Sequence, residues 1–98
     1  MVLKSILEEL KTSNRPVAKA LHKTSQSKTI CIGFNKGMML KDHKAHRPTV
    51  LVVIAGEIRY TEEENSQVLS RLDEFNIPVE VTHRVEALED SLVLLLQG

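Results

Sequence analysis

Four histidines, His22, His43, His46 and His83, are the residues best suited to chemistry in this chain, because a neutral imidazole titrates near physiological pH and binds divalent transition metals. His43 and His46 flank Lys44 and Ala45 in a polar segment just ahead of a long apolar run. That is a loop or strand-entry position, where imidazoles stay available. His83 stands in a different setting. It shares parity with Val81, Val85 and Ala87, while Glu80, Thr82, Arg84 and Glu86 occupy the other parity, so a strand here puts the imidazole on an apolar face. A histidine on such a face must find a hydrogen-bond partner or ligate something. Imidazoles converging from separate strands would hold a divalent metal and leave positions open for water or substrate. The metal candidates are therefore His43, His46 and His83, with zinc, nickel, manganese or iron as the ion. The plainer alternatives are a buried His83 bonded to a backbone carbonyl, a solvated His-x-x-His loop, and a surface His22 among Lys19, Lys23 and Thr24.

Other chemistries find less support. Cys31 lies in an apolar run and reads as an inert core thiol. Gly33 and Gly37 lack the spacing and the following Lys-Ser or Lys-Thr of a phosphate loop, and no G-x-S-x-G elbow, HExxH or CxxC occurs. The stretch Glu62-Glu63-Glu64-Asn65-Ser66 reads as a solvated hairpin turn. Lys36, Lys41, Lys44 and Arg47 either line the mouth of a pocket for an anionic ligand or form an ordinary charged loop.

The elements that must position these residues show in the periodicity. Leu3, Ile6, Leu7 and Leu10 fall at helical spacing, with Lys4, Glu8 and Lys11 on other faces, which predicts an amphipathic helix within residues 1–12. Thr12-Ser13-Asn14-Arg15-Pro16 ends it. The period then becomes two: Ile30, Ile32 and Phe34 alternate with Thr29, Cys31 and Gly33, and Ile58 and Tyr60 alternate with Glu57, Arg59 and Thr61. Val50 to Ile54 and Leu92 to Leu96 are apolar on both parities and should be covered on both sides. One of the covers can be a partner subunit. Turn residues chop the remainder into short strands at fairly regular spacing, as in an antiparallel sandwich or barrel.

Composition sets the frame. Ninety-eight residues allow one core and no separate cofactor domain, so residues 1–98 read as a single domain with a barrel over 16–98. Thirteen basic against thirteen acidic residues give no net charge, and the only aromatics are Phe34, Tyr60 and Phe75. That argues against nucleic acid as a partner. One cysteine makes no internal disulfide, and the charged N-terminal stretch does not read as a signal peptide. With no apolar run of about twenty residues, the expectation is a cytoplasmic protein with no membrane partner. A barrel this small, with strands apolar on both faces, is expected to form a homodimer.

The segment Gly37-Met38-Met39-Leu40-Lys41-Asp42-His43, followed by Val50 to Gly56, resembles the first motif of the cupins, in which five residues lie between a glycine and a histidine and another glycine closes the strand. Pro78-Val79-Glu80-Val81-Thr82-His83-Arg84-Val85-Glu86-Ala87 resembles their second motif, with Pro78 and His83 in register. Glu86 to Ser91 looks like the tail of small single-domain cupins, and Asp73 falls where the family has the aspartate of a Gly-Asp pair. The resemblance covers roughly residues 16 to 98 and implies an all-β cupin barrel or jelly roll behind a short N-terminal helix. There are departures: the family's second histidine falls on Ala45, its metal-binding glutamate on Thr49, and the glycine after the proline on Glu80. His43 and His83 carry over directly. His46 lies one residue past the family position, and only a bulge would turn it inward. The resemblance thus implies a divalent metal, a small organic ligand, or both, in the barrel pocket, with dioxygenase- or isomerase-type chemistry among the activities of the fold. The alternative is a metal-free binding, sensing or interaction module with an incomplete site. The fold does not choose the activity.

Overall fold

The computed structural model describes residues 1–98. One helix, α1 (Val2–Leu10), precedes nine strands: β1 (Val17–Lys23), β2 (Lys28–Phe34), β3 (Met39–His43), β4 (Thr49–Ala55), β5 (Glu57–Glu62), β6 (Asn65–Ser70), β7 (Glu74–Ile77), β8 (His83–Ala87) and β9 (Ser91–Gln97). They form a five-stranded sheet in the order β1-β2-β9-β4-β7 and a four-stranded sheet in the order β3-β8-β5-β6. All strand pairs are antiparallel, and the architecture is the antiparallel barrel that the alternation predicts and the jelly roll that the resemblance implies.

The core lies between the sheets. Ile32, Phe34, Leu51, Val53 and Val93 from the larger sheet meet Ile58, Tyr60, Leu69, Val85 and Ala87 from the smaller one. This is the even or odd parity of each strand turned one way, as strand geometry requires. The outer parity of β4 and β9 is apolar too. Val50 pairs with Leu96 and Val52 with Leu94 across that face, where Leu96 is exposed and the other three are half-buried.

Helix α1 covers the β1–β2 side of that outer face. Ile6 and Leu10 are buried against Cys31, which is itself fully buried, while Leu3 and Leu7 stay 37% and 54% exposed. The helix therefore buries only half of its apolar stripe. It can approach β2 closely because Gly33 has no side chain: a Cβ there would lie 2.5 Å from Ile6 Cγ2 and 2.8 Å from Leu10 Cδ1. The Asn35 side-chain amide donates to the Leu10 carbonyl at 2.7 Å, satisfying one of the acceptors a helix end leaves open. Lys19 from β1 holds the helix flank through Glu9 at 2.8 Å and Ser5 at 3.1 Å.

Two turns replace the expected family glycines with bulkier residues. Leu72, just before Asp73, has φ 73° and Glu80 has φ 64°, each a left-handed conformation that costs an L-residue roughly 1–2 kcal/mol. Local bonds hold them. Asp73 Oδ2 accepts from the Ser70 amide at 2.7 Å, and the Glu80 amide donates to the Ala45 carbonyl at 2.8 Å.

Candidate functional site

β8 delivers His83 by simple alternation: His83, Val85 and Ala87 are buried and Arg84 is exposed. β3 delivers His43 by an irregularity. Leu40 pairs with Val85 and His43 with His83, three steps along β3 against two along β8. The extra residue is a β-bulge. In a regular strand Leu40 and His43 would face opposite sides. The bulge turns His43 to the side of Leu40, and its ring meets that of His83 at 4.2 Å between centroids and an angle of 58°.

Backbone carbonyls fix both rings. His43 Nδ1 bonds to the Lys41 carbonyl at 2.8 Å and His83 Nδ1 to the Val81 carbonyl at 3.1 Å. A carbonyl only accepts, so in the neutral imidazole each Nδ1 carries the proton and each Nε2 presents its lone pair. Neither Nε2 has a protein partner. Because no buried side-chain nitrogen or oxygen is left unpartnered, the free Nε2 of the buried His83 is one that solvent reaches, beside the exposed His43.

Below His83 lies Tyr60, its ring 5.3 Å away and inclined by 23°, with Phe75 4.5 Å beyond it. Tyr60 is 1% exposed, and its hydroxyl donates to Glu62 Oε2 at 2.8 Å. Burial and the Glu62 carboxylate push the phenol above its ordinary pKa, so it stays protonated.

The three histidine candidates do not converge. His46 is carried outward: its side chain is 77% exposed and its Nδ1 lies 2.7 Å from Glu80 Oε1. The bulge sits before His43 and not before His46, so the inward position belongs to Ala45, which is buried and bridges to Val79. Thr49 is buried with its hydroxyl donating to the Arg47 carbonyl at 2.9 Å. No cluster of three or more His, Cys, Asp or Glu side chains is placed to hold a metal. The expected ligand pocket inside the barrel is also nearly closed. A cavity of about 10 Å³ remains, lined by Phe34, Leu40, His43, His83, Val85 and others, which is room for about one water. His22 is on the exposed part of β1, and Cys31 is inert under the helix, its thiol pKa raised by burial.

Sequence reasoning missed Tyr60 and Glu62. The Glu62-to-Ser66 stretch is indeed where β5 turns into β6, but Glu62 is the last residue of β5, half-buried and bonded to Tyr60. Extending the parity of Ile58 and Tyr60 by two residues would have found it.

His83 is expected to make the protein acid-sensitive. Burial lowers its pKa below the ordinary 6.5, and the neighbouring His43 acts in the same direction, against the Val81 carbonyl and the Glu62 and Asp42 carboxylates. The unfolded chain then binds the proton first as pH falls, so stability is full above about 6.5 and is lost on acidification toward the folded-state pKa. Urea melts between pH 7.5 and 5 should show this loss in the parent and a smaller one in His83→Gln. Equal slopes would contradict it.

No family model matches the chain, and no curated protein is similar to it. Solved structures are. A cupin superfamily protein from Desulfitobacterium hafniense has a TM-score of 0.80 at 16% identity, over 87% of this chain and 78% of that one. KdgF from Halomonas sp. has a TM-score of 0.78 at 28% identity, over 87% of this chain and 81% of its own. An RmlC-like cupin from Desulfovibrio desulfuricans reaches 0.75 at 24% identity, over 84% and 80%. At these identities it is the backbone that is shared, across most of both chains in each pair. With its two sheets, this chain is a small cupin-fold protein.

Proposed function

We propose that this protein is a small cytosolic cupin that takes up a divalent transition metal, such as zinc, nickel, manganese or iron(II), between His43 and His83. One observation carries the reading: both rings are in contact, both Nδ1 atoms are pinned to carbonyls, and both Nε2 lone pairs are free. A backbone bond to the distal nitrogen is how ligating histidines are oriented. Burial keeps His83 in its neutral, ligating form at pH 7. Two imidazoles are fewer protein donors than the three of a usual catalytic zinc site, so the ion is exchangeable and its remaining positions are taken by water or a small ligand reaching the mouth. An ion held there would act as a Lewis acid on that ligand.

The test is thermal stability with and without each of the four ions, reversed by a chelator. An ion at about a hundred times its dissociation constant should add about 2.7 kcal/mol, and His43→Ala and His83→Ala should each abolish the gain. If no ion shifts the parent, the protein is instead a metal-free binding or interaction module. The nearly filled interior and the residues Ala45 and Thr49 favour that second reading.

The proposal includes a homodimer. Val50, Val52, Leu94 and Leu96 on the outer sheet face adjoin the helix, whose Leu3 and Leu7 are uncovered. Such a face suits an isologous two-fold contact. Light scattering should give twice the 11.0 kDa chain mass, and Leu94→Lys should halve it. A monomer mass at high concentration would overturn this part.

A further inference from the structure

We propose that the groove beside the carboxyl end of α1 is a binding site for a small organic cation, an ammonium group carried on an apolar body. The groove lies past the far end of β8 from His83, so it stands apart from the histidine pair and from any metal held there. Its walls come from four places in the chain: Leu7 and Leu10 of the helix, Asn35 just after β2, Ala55 at the end of β4, and Asp90 and Leu92 at the turn into β9. The space is about 520 Å³. That is the size of a small-molecule pocket, and apolar walls with a few convergent polar groups are what such pockets have.

The apolar part is open to an occupant. Leu7 belongs to the apolar stripe of the helix yet is 54% exposed, and a ligand body lying against it and Leu92 would remove both from water. The polar part selects the sign of the charge. Asp90 Oδ1 accepts from the Lys36 backbone amide at 2.8 Å, which fixes the carboxylate and leaves Oδ2 without a partner. None of the chain's ion pairs includes Asp90. Lys11, the basic side chain on the groove wall, is turned to Glu8 at 3.1 Å. The Asn35 side chain donates through Nδ2 to the Leu10 carbonyl at 2.7 Å and keeps Oδ1 as a second open acceptor. Helix α1 also ends here, and the carbonyl end of a helix carries partial negative charge. An uncompensated carboxylate, an amide oxygen and a helix carbonyl end beside apolar walls complement a cation that donates hydrogen bonds, and they repel a carboxylate.

The experiment titrates hexylammonium into isotope-labelled protein and follows the backbone amide resonances, with hexanol and hexanoate as the neutral and anionic probes of equal chain length. The expected result is saturable shifts at millimolar concentration, confined to residues around Leu10, Asn35 and Asp90 to Leu92. Hexylammonium should bind at least about fivefold more tightly than hexanol, and hexanoate should bind most weakly. Asp90→Asn keeps an oxygen for the Lys36 amide, so the turn should hold, and thermal melts check this. It should weaken hexylammonium to the level of hexanol and leave hexanol unchanged, while Glu64→Gln in the exposed β5–β6 turn, the control for loss of charge, should change neither. Ala55→Leu, at an exposed position on the groove wall, should fill the space and weaken hexylammonium and hexanol alike. Should Asp90→Asn fail to fold, Ala55→Leu and the order of the three probes carry the test. Hexanol or hexanoate binding as tightly as hexylammonium, or parent-like affinity in a folded Asp90→Asn, would overturn the cation site. Shifts that do not saturate, or that lie outside the groove, would overturn it as well.

Discussion

Gly56→Ala should destabilise the protein by about 3 kcal/mol, which for a chain of this length lowers the thermal midpoint by roughly 12–24 °C. Gly56 is the single residue between β4 and β5, so it is where the chain leaves the larger sheet for the smaller one. Its φ is +85°, a region that L-residues enter at a cost of roughly 1–2 kcal/mol. Space is the second obstacle. A Cβ would run into the Asp90 carbonyl and the Ser91 hydroxyl, and would lie 2.7 Å from Ser91 Cα. Ser91 cannot yield freely. Its hydroxyl accepts from the Glu57 amide at 3.0 Å and donates its one proton to the Glu89 carbonyl at 2.7 Å, with the Glu57 carbonyl at 3.1 Å, tying the start of β9 to the start of β5. Relief of the clash therefore breaks bonds on both strands. Chemical denaturation of the purified variant is the measurement, and a loss under about 1 kcal/mol would show that the corner relaxes more easily than its bonds suggest.

Phe34→Ala should cost about 3–5 kcal/mol. Phe34 is fully buried at the end of β2, and it is a wall shared by two spaces. On one side is the interior cavity that His43 and His83 line; on the other is a groove of about 520 Å³ beside the helix, lined also by Leu7, Leu10 and Leu92. Removing the ring enlarges the interior cavity beside His43 and His83. Phe34→Leu, which keeps most of the volume, should cost less than about 1.5 kcal/mol. Equal losses in both variants would mean that ring shape, not volume, holds the wall.

Some of this was readable in the sequence because it follows from one strand or helix at a time. His83 faces inward because β8 alternates without interruption, and α1 forms because Leu3, Ile6, Leu7 and Leu10 share a face. Which half of that face is buried depends on Gly33 in another element, so spacing alone did not show it. The sequence pattern does not mark β1, β6 or β7. β1 and β6 are mostly exposed, which removes the apolar alternation that marks a strand, and β7 is only four residues long. At the site, His43 shows through its residue type, its place ahead of the apolar run and its motif rather than through alternation, because the bulge that turns it inward is a property of the β3–β8 pair. A bulge that turned His46 inward would lie after His43, whereas the observed one lies before it. In the sequence Glu62 reads as part of a turn because three consecutive acids look solvated. Its place beside His83 is a fact of cross-strand register.

The bulge in β3 also separates two kinds of counting. A motif counts residues along the chain, whereas the site counts rungs across the sheet, and between Leu40 and His43 the two counts differ by one. Loss of one residue between them would make the counts equal, and a regular strand would still set His43 opposite His83. A regular strand of the present length would not: Asp42 would stand opposite His83, and His43 would face the other side. The extra residue and the irregularity that absorbs it are thus matched, and only together do they keep this histidine turned inward.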